Sequence, residues 1–317
     1  MPRYELIISP ALDGRTVRQA AMGGLHLSGG QFKRAKFHGA LLLDGMPVLA
    51  DRRVRTGERL CVDVPEAALA PPEPFALALR VPYEDAYFWM IDKPAPLPSS
   101  SSYKKEGPTL ENALYAYAGC PEGFVYRPVN RLDKGTSGLM LAARTAHAQH
   151  LLQRLLHGSE FIREYLAVVE GAPPQTEGVI DLPIGKADGA TIRREVRADG
   201  KPARTYYRVL ETLGGRSLLR LRLDTGRTHQ IRVHMASIGC NLVGDRLYEK
   251  SGKTKIVGLS PETKAFVNSF PRQALHAASL GFVHPRSGEF LQFSVDFPAD
   301  LHLLLDTCLL NLGASPK

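Results

Sequence analysis

The stretch Leu218-Leu-Arg-Leu-Arg-Leu-Asp-Thr-Gly-Arg-Thr-His-Gln-Ile-Arg-Val-His-Met-Ala-Ser-Ile238 changes its hydrophobic period halfway along. In the first half Leu219, Leu221 and Leu223 alternate with Arg220 and Arg222, the period of two that belongs to a half-buried strand. After the Asp-Thr-Gly break, Ile231, Met235 and Ile238 fall on one side of a helical turn, with Gly239 behind them, which predicts a helix over 228–238. A strand feeding a helix through a glycine turn sets the class as α+β. Arg204–Leu210 alternates in the same way. Ala146–His157 carries Leu151, Leu152, Leu155 and Leu156 at helical spacing, with Thr145 able to cap its start and Gly158 to end it.

Outward from there, 317 residues suggest two domains, or one large domain with an appendage. A hydrophobic content of 44% suffices for a core without disulfide or metal staples and excludes global disorder. The boundary falls at Pro65–Pro74, because four prolines in ten residues cannot join a helix and favour an extended spacer. The chain therefore divides into a small module (1–65), a linker (66–79) and a large domain (80–312). Within the module, Thr16–Met22 and Gly30–Phe37 have weak helical patterning. Asp44-Gly45, set between two apolar runs, is a hairpin signal.

Lys plus Arg number 40 against 32 Asp plus Glu, a net charge of +8 that favours a polyanionic partner or a membrane surface. The excess gathers in the N-terminal module, around Lys33, Arg34 and Lys36, and in residues 193–232. Cys61, Cys120, Cys240 and Cys308 lie far apart, with no zinc-finger spacing, and read as buried thiols of a reducing compartment. The first residues are too charged for a secretory leader and no run of 18 apolar residues occurs, so a cytoplasmic, soluble protein without membrane contact is expected.

Two segments concentrate chemistry. In Arg127-Pro-Val-Asn-Arg-Leu-Asp-Lys-Gly-Thr-Ser-Gly-Leu-Met140, Asp133 stands between Arg131 and Lys134 on a turn-forming stretch. Neighbouring cations favour an ionised carboxylate, which can attack a sugar carbon; the same carboxylate could instead only tie down its own turn. In the second segment, Arg227 and Arg232 flank Thr228, His229 and Gln230 at a helix start suited to an anion. His229 and His234 are five apart, not four, and no carboxylate lies between them, so a metal site is not expected.

Asn130-Arg-Leu-Asp-Lys-Gly-Thr-Ser-Gly-Leu139, Arg163-Glu-Tyr-Leu-Ala-Val-Val-Glu-Gly171 and Gly226-Arg-Thr-His-Gln-Ile-Arg-Val-His234 together resemble the three ordered motifs of the RluA-type family of RNA pseudouridine synthases. The flanking Ile91-Asp-Lys-Pro94, Gly200–Tyr206, Leu242–Asp245 and Leu275–Pro285 agree with the resemblance. The chain departs from the family pattern at Asn130, where His is usual, and at Arg163, where Lys is usual. Asn can still bond a loop backbone and Arg keeps the charge. The order of the basic second helix, the Leu-Leu-Asp-Gly hairpin and Val54–Leu60 resembles the S-four type of small RNA-binding module, with a ligand-free cap as the bland alternative.

The resemblance implies a mixed, largely antiparallel sheet with flanking helices and a central RNA-binding cleft. It makes Asp133 the catalytic carboxylate, sets Tyr165 against the target uracil, backs that ring with Ile231 and pairs Arg232 with Asp133. Arg131 fills the space left by a base turned out of its stack. Lys33, Arg34, Lys36 and Arg227 would hold phosphates. The reaction is an isomerisation needing neither cofactor nor metal, and a monomer is expected. A ribosomal RNA is the expected substrate; transfer RNA and an inactive RNA-binding protein are the alternatives. Addition of Asp133 to the anomeric carbon and removal of the 2′ proton both remain open. A hydrolytic glycosidase is disfavoured because the motifs offer Asp133 no second carboxylate.

Overall fold

The computed structural model describes the chain apart from residues 1, 66–69, 101–106, 157, 159, 191, 214, 250–260 and 311–317. The linker stretch 66–69, His157 of the expected helix, and residues 311–312 at the expected end of the large domain thus lie outside the described residues.

The N-terminal part contains β1 (Arg3–Ile7), α1 (Val17–Gly23), α2 (Gly29–His38), β2 (Ala40–Leu43), β3 (Met46–Pro47) and β4 (Arg59–Asp63). Its strands form an antiparallel sheet in the order β1-β4-β2-β3. Each helix starts in a capping box, Thr16 with Gln19 and Ser28 with Gln31, so the two free donors at each start are satisfied reciprocally. Asp44 and Gly45 both have positive φ, +48° and +81°, as a two-residue I′ hairpin turn requires. Val17, Ala20, Phe32, Leu41, Leu60 and Val62 form a core of their own.

The rest of the chain forms β5 (Arg80–Glu84), β6 (Phe88–Lys93), α3 (Leu110–Tyr117), β7 (Ser137–Ala143), α4 (Ala146–Leu155), β8 (Ile162–Glu170), β9 (Glu177–Asp181), β10 (Ile184–Lys186), β11 (Arg194–Val196), β12 (Arg204–Leu213), β13 (Arg216–Leu223), α5 (Gln230–Ser237), α6 (Pro261–Asn268), β14 (Leu275–Val283), β15 (Phe290–Ser294) and α7 (Ala299–Leu310). Strands β5-β6-β7-β14-β8-β13-β12-β9 form one sheet, β15 adds to β14, and β10 pairs with β11 separately. Among the described residues the pairings are antiparallel except β7 with β14. The mixed α+β architecture implied by the motifs is therefore the one observed.

One face of the large sheet packs Ile91, Met140, Tyr165, Leu219 and Leu221 against Leu114 of α3 and Ile231 and Met235 of α5. The other face packs Phe88, Leu141 and Phe282 against Ala148 and Leu152 of α4, and Val168 against Val267 of α6 and Leu301 and Leu304 of α7. Thr145 caps α4 by accepting the Ala148 amide, as its position predicted.

Three expectations change. Helix α5 begins at Gln230 and is buried from Gln230 through Met235, not along one stripe, because it is sunk between the sheet and the loops around it. Cys120 is exposed on the turn after α3, at φ +53°, while the other three cysteines are buried free thiols. The second half of the proline-rich segment is strapped down: Phe75 donates its amide to the Asn112 carbonyl, the Asn112 amide donates to Glu73, and Phe75 and Leu77 pack on the main core.

Candidate active site

The parallel pairing of β7 and β14 sets the loops that precede both strands side by side. His276 pairs with Ser137 and Ala277 with Gly138, and the two strands approach so closely that a Cβ on Gly138, at φ +105°, would lie 2.3 Å from the Ala277 carbonyl. Glycine alone fits there. Arg272, before β14, donates to the Gly135 carbonyl at 3.0 Å, and Gln273 donates to the Thr136 hydroxyl at 3.1 Å. On the other side, the Ser99 hydroxyl donates to Leu132 and the Leu97 amide donates to Lys134. Asn130 accepts the Leu141 amide at 2.8 Å, so it bonds the backbone of strand β7 rather than that of the loop. The loop that carries Asp133 is thus held on both flanks, a precondition for a side chain that must meet a substrate in one geometry.

Asp133 opens into a cleft of about 1130 Å³, also lined by Arg131, Arg163, Tyr165, Arg227, His229 and Arg232. Arg232, from the first turn of α5, donates one N–H to Asp133 Oδ2 at 3.1 Å. Its other face makes two 2.7 Å bonds to the buried Asp245. Burial pulls the Arg232 guanidinium down, but Asp245 and Asp133 outweigh it and hold it above the ordinary arginine value. Lys93, fully buried at the end of β6, donates to the Pro94 and Leu97 carbonyls, at 3.0 and 2.9 Å. Burial, reinforced by Arg272 and opposed by Asp133, pushes its amine down to about 7.

Tyr165 lies inside β8. It pairs with Ala277 on one side and Leu221 on the other, so Gly138, Ala277, Tyr165 and Leu221 run in a row across the sheet. Burial raises its phenol, and its hydroxyl makes no hydrogen bond among the described residues. Ile231 belongs to the same apolar cluster and does not itself line the cleft. Arg131 is exposed at the cleft with no partner among the described residues. Arg163 is buried and donates to the Leu223 and Asp224 carbonyls, fixing the turn that follows β13. Arg227 lines the cleft and donates to the Pro202 carbonyl.

The remaining expected contacts lie elsewhere. Lys33 and Lys36 are exposed on α2, and Arg34 is half-buried beside them; none lines the cleft. The basic run 193–232 does not form one patch. Arg197 is engaged by Asp188 and Asp199, Arg204 by Asp181, Arg208 by Glu177 and buried Arg216 by Glu170. Arg220 and Arg222 point to the face opposite Leu221, hence away from Tyr165.

The structure also brings in residues that sequence reasoning left without a role: Asp245, Lys93, Arg272 and Gln273. Asp245 does not supply the second carboxylate that a hydrolytic glycosidase would need. Its side chain is 1% exposed and both its oxygens are taken by Arg232, so it is not free to serve as the acid or base of a hydrolase. No cluster of three or more metal-ligating side chains and no helix long and apolar enough to cross a membrane occur among the described residues.

Residues 87–237, a span that holds Asp133, Tyr165 and Arg232, match the family described as RNA pseudouridylate synthase. The ribosomal large subunit pseudouridine synthase D of Xanthomonas campestris is 40% identical over 84% of this chain and 80% of its own length. An uncharacterized RNA pseudouridine synthase of Chloroflexus aurantiacus is 38% identical over 95% of this chain and 92% of its own. Among solved structures, human RNA pseudouridylate synthase domain containing 4 superposes with a TM-score of 0.56 at 25% identity, covering 71% of this chain and 92% of that one. The chain belongs to the RNA pseudouridine synthase family: it is an isomerase that acts on RNA.

Proposed function

We propose that the protein converts uridines of ribosomal large-subunit RNA to pseudouridine in the cytoplasm, with Asp133 as the reacting carboxylate. The observation that carries the assignment of Asp133 is the 3.1 Å bond from Arg232, itself locked to Asp245, which orients an accessible carboxylate at the cleft beside Tyr165. The reaction breaks the C1′–N1 bond, turns the uracil and joins C1′ to C5; the C5 proton leaves and N1 gains one. Asp133 acts on the sugar, by adding to C1′ or by taking the 2′ proton. Tyr165 presents a ring for the uracil to stack on, with Ile231 behind it. Arg131, exposed at the rim with no partner among the described residues, occupies the space left by the extruded base.

Residues 1–65 form a separate RNA-contacting module through Lys33, Arg34 and Lys36, joined by 66–79 to the catalytic domain 80–312, and Arg227 contacts phosphate at the cleft. Support for the large-subunit target comes from the Xanthomonas relative and others of the same name.

Two measurements test this. Purified Asp133→Asn should still bind RNA and fail to isomerise uridine in RNA from a deletion strain; activity equal to wild type removes Asp133 from the chemistry. Modification mapping in that strain should show pseudouridines missing from large-subunit RNA, and losses confined to transfer RNA reverse the substrate assignment.

A further inference from the structure

His229 is the residue before α5, at φ +59°, a left-handed conformation that costs a non-glycine residue free energy and is kept where the surroundings enforce it. Its imidazole lies between two groups. Nδ1 is 2.8 Å from the Tyr248 hydroxyl, and Nε2 is 3.8 Å from Asp133 Oδ2, the same oxygen that Arg232 contacts. Tyr248 is 6% exposed, and the Arg232 guanidinium sits 5.0 Å above its ring.

Proton counting favours one tautomer. The Tyr248 oxygen accepts the Arg194 backbone N–H at 2.9 Å, and its single proton has no acceptor other than His229 Nδ1 among the described residues. Nδ1 then carries no hydrogen, so the proton of the neutral ring sits on Nε2, facing Asp133. Burial lowers the His229 pKa, Arg232 and Arg194 lower it further, and Asp133 and Asp245 oppose them. The ring is thus a neutral donor, not a second cation. A 3.8 Å separation is too long for a hydrogen bond in the free enzyme, and such contacts tighten when substrate enters.

We propose that Tyr248 and His229 are positioning residues for the isomerisation: Tyr248 holds His229 as its Nε2–H tautomer while its ring face seats Arg232. Both donors then converge on Asp133 Oδ2 and leave Oδ1 free for the ribose. This rests on the reading of Asp133 as the reacting carboxylate. Tyr248→Phe keeps the ring that carries Arg232 and removes only the hydroxyl.

The test uses the full chain with RNA, under single-turnover conditions. Tyr248→Phe should lower the rate about tenfold, the worth of the hydrogen bond to His229, with RNA affinity unchanged and a lower thermal midpoint because the Arg194 N–H loses its acceptor. Nitrogen NMR of labelled histidine should show His229 Nδ1 bare and Nε2 protonated in wild type, and a mixture in Tyr248→Phe. His229→Gln, whose amide N–H reaches toward Asp133, should retain more activity than His229→Asn, although Asn suits the left-handed backbone better. A wild-type rate in Tyr248→Phe, a protonated Nδ1 in wild type, or Asn surpassing Gln each overturns the proposal. Asp133→Asn, run in parallel, separates the two ideas. An active Asp133→Asn removes the underlying assignment, whereas an inactive one beside an unaffected Tyr248→Phe removes this proposal alone.

Discussion

Helix α2 and the cleft wall both carry cations, and they use them in opposite ways. On α2, Lys33 and Lys36 stand in solvent over a buried face of Gln31, Phe32 and Ala35. At the cleft, Arg232 is spent on Asp133 and Asp245, Arg272 on Asp300 and the Gly135 carbonyl, and Lys93 on two backbone carbonyls. Exposed, unpaired charge can release counterions to a polyanion, whereas buried, paired charge fixes the geometry of what it touches. The buried cations around Asp133 are internal wiring, whereas Lys33 and Lys36 on α2 face solvent and make no ion pair among the described residues.

The largest effect should come from breaking that wiring at its centre. Arg232→Lys keeps the charge and loses the planar fork, so it cannot serve two carboxylates at once. With Asp245 buried and deprived of a bidentate partner, the single-turnover rate should fall by about 100-fold or more and stability by about 3 kcal/mol. Kinetics and denaturant unfolding measure the two separately. A lysine variant with wild-type rate would mean that charge alone, not the shared fork, sets Asp133.

Much of this region was legible in the sequence. The change of period at Asp224–Gly226 placed β13 and α5, and the three motifs named Asp133, Tyr165 and Arg232. What stayed hidden depends on pairing across the sheet. Arg272 meets the Asp133 loop because β7 and β14 run parallel, and Asp245 reaches Arg232 from the segment after α5, contacts that no local pattern encodes. That Ala277 and Leu221 flank Tyr165 on both sides is likewise beyond a single strand's periodicity. The basic run 193–232 misled for the opposite reason. Unlike Asp199, its acidic partners Glu170, Glu177, Asp181 and Asp188 come from earlier strands and turns, outside the run itself.

A smaller effect, and a test of the same wiring, lies in the pH dependence of Lys93. Its amine is pushed down to about 7 when folded and returns to an ordinary lysine value when unfolded. Between those values the unfolded chain binds more protons, so stability rises with pH, by about 1.4 kcal/mol per unit in the limit. Relative to Lys93→Met, the wild type should gain about 2 kcal/mol from pH 7 to pH 9 in denaturant unfolding. Parallel curves for the two proteins would show that Lys93 stays charged in the fold.

The smallest effect belongs to α2. Lys33→Ala with Lys36→Ala leaves the helix intact, since both side chains are exposed and alanine is the better helix former. If each lysine meets one phosphate, the slope of log affinity against log salt should flatten by about 1.4 to 1.8. Affinity at low salt should drop severalfold, and the rate at saturating RNA should not change. The control is Arg220→Ala with Arg222→Ala, which removes the same charge from the face of β13 turned away from Tyr165 and should leave the slope as it was. Equal slopes in the two double variants would mean that RNA responds to net charge, and the contrast between α2 and the opposite face of β13 would fail. A slope change confined to the α2 variant would fix that contrast and locate the module on the RNA.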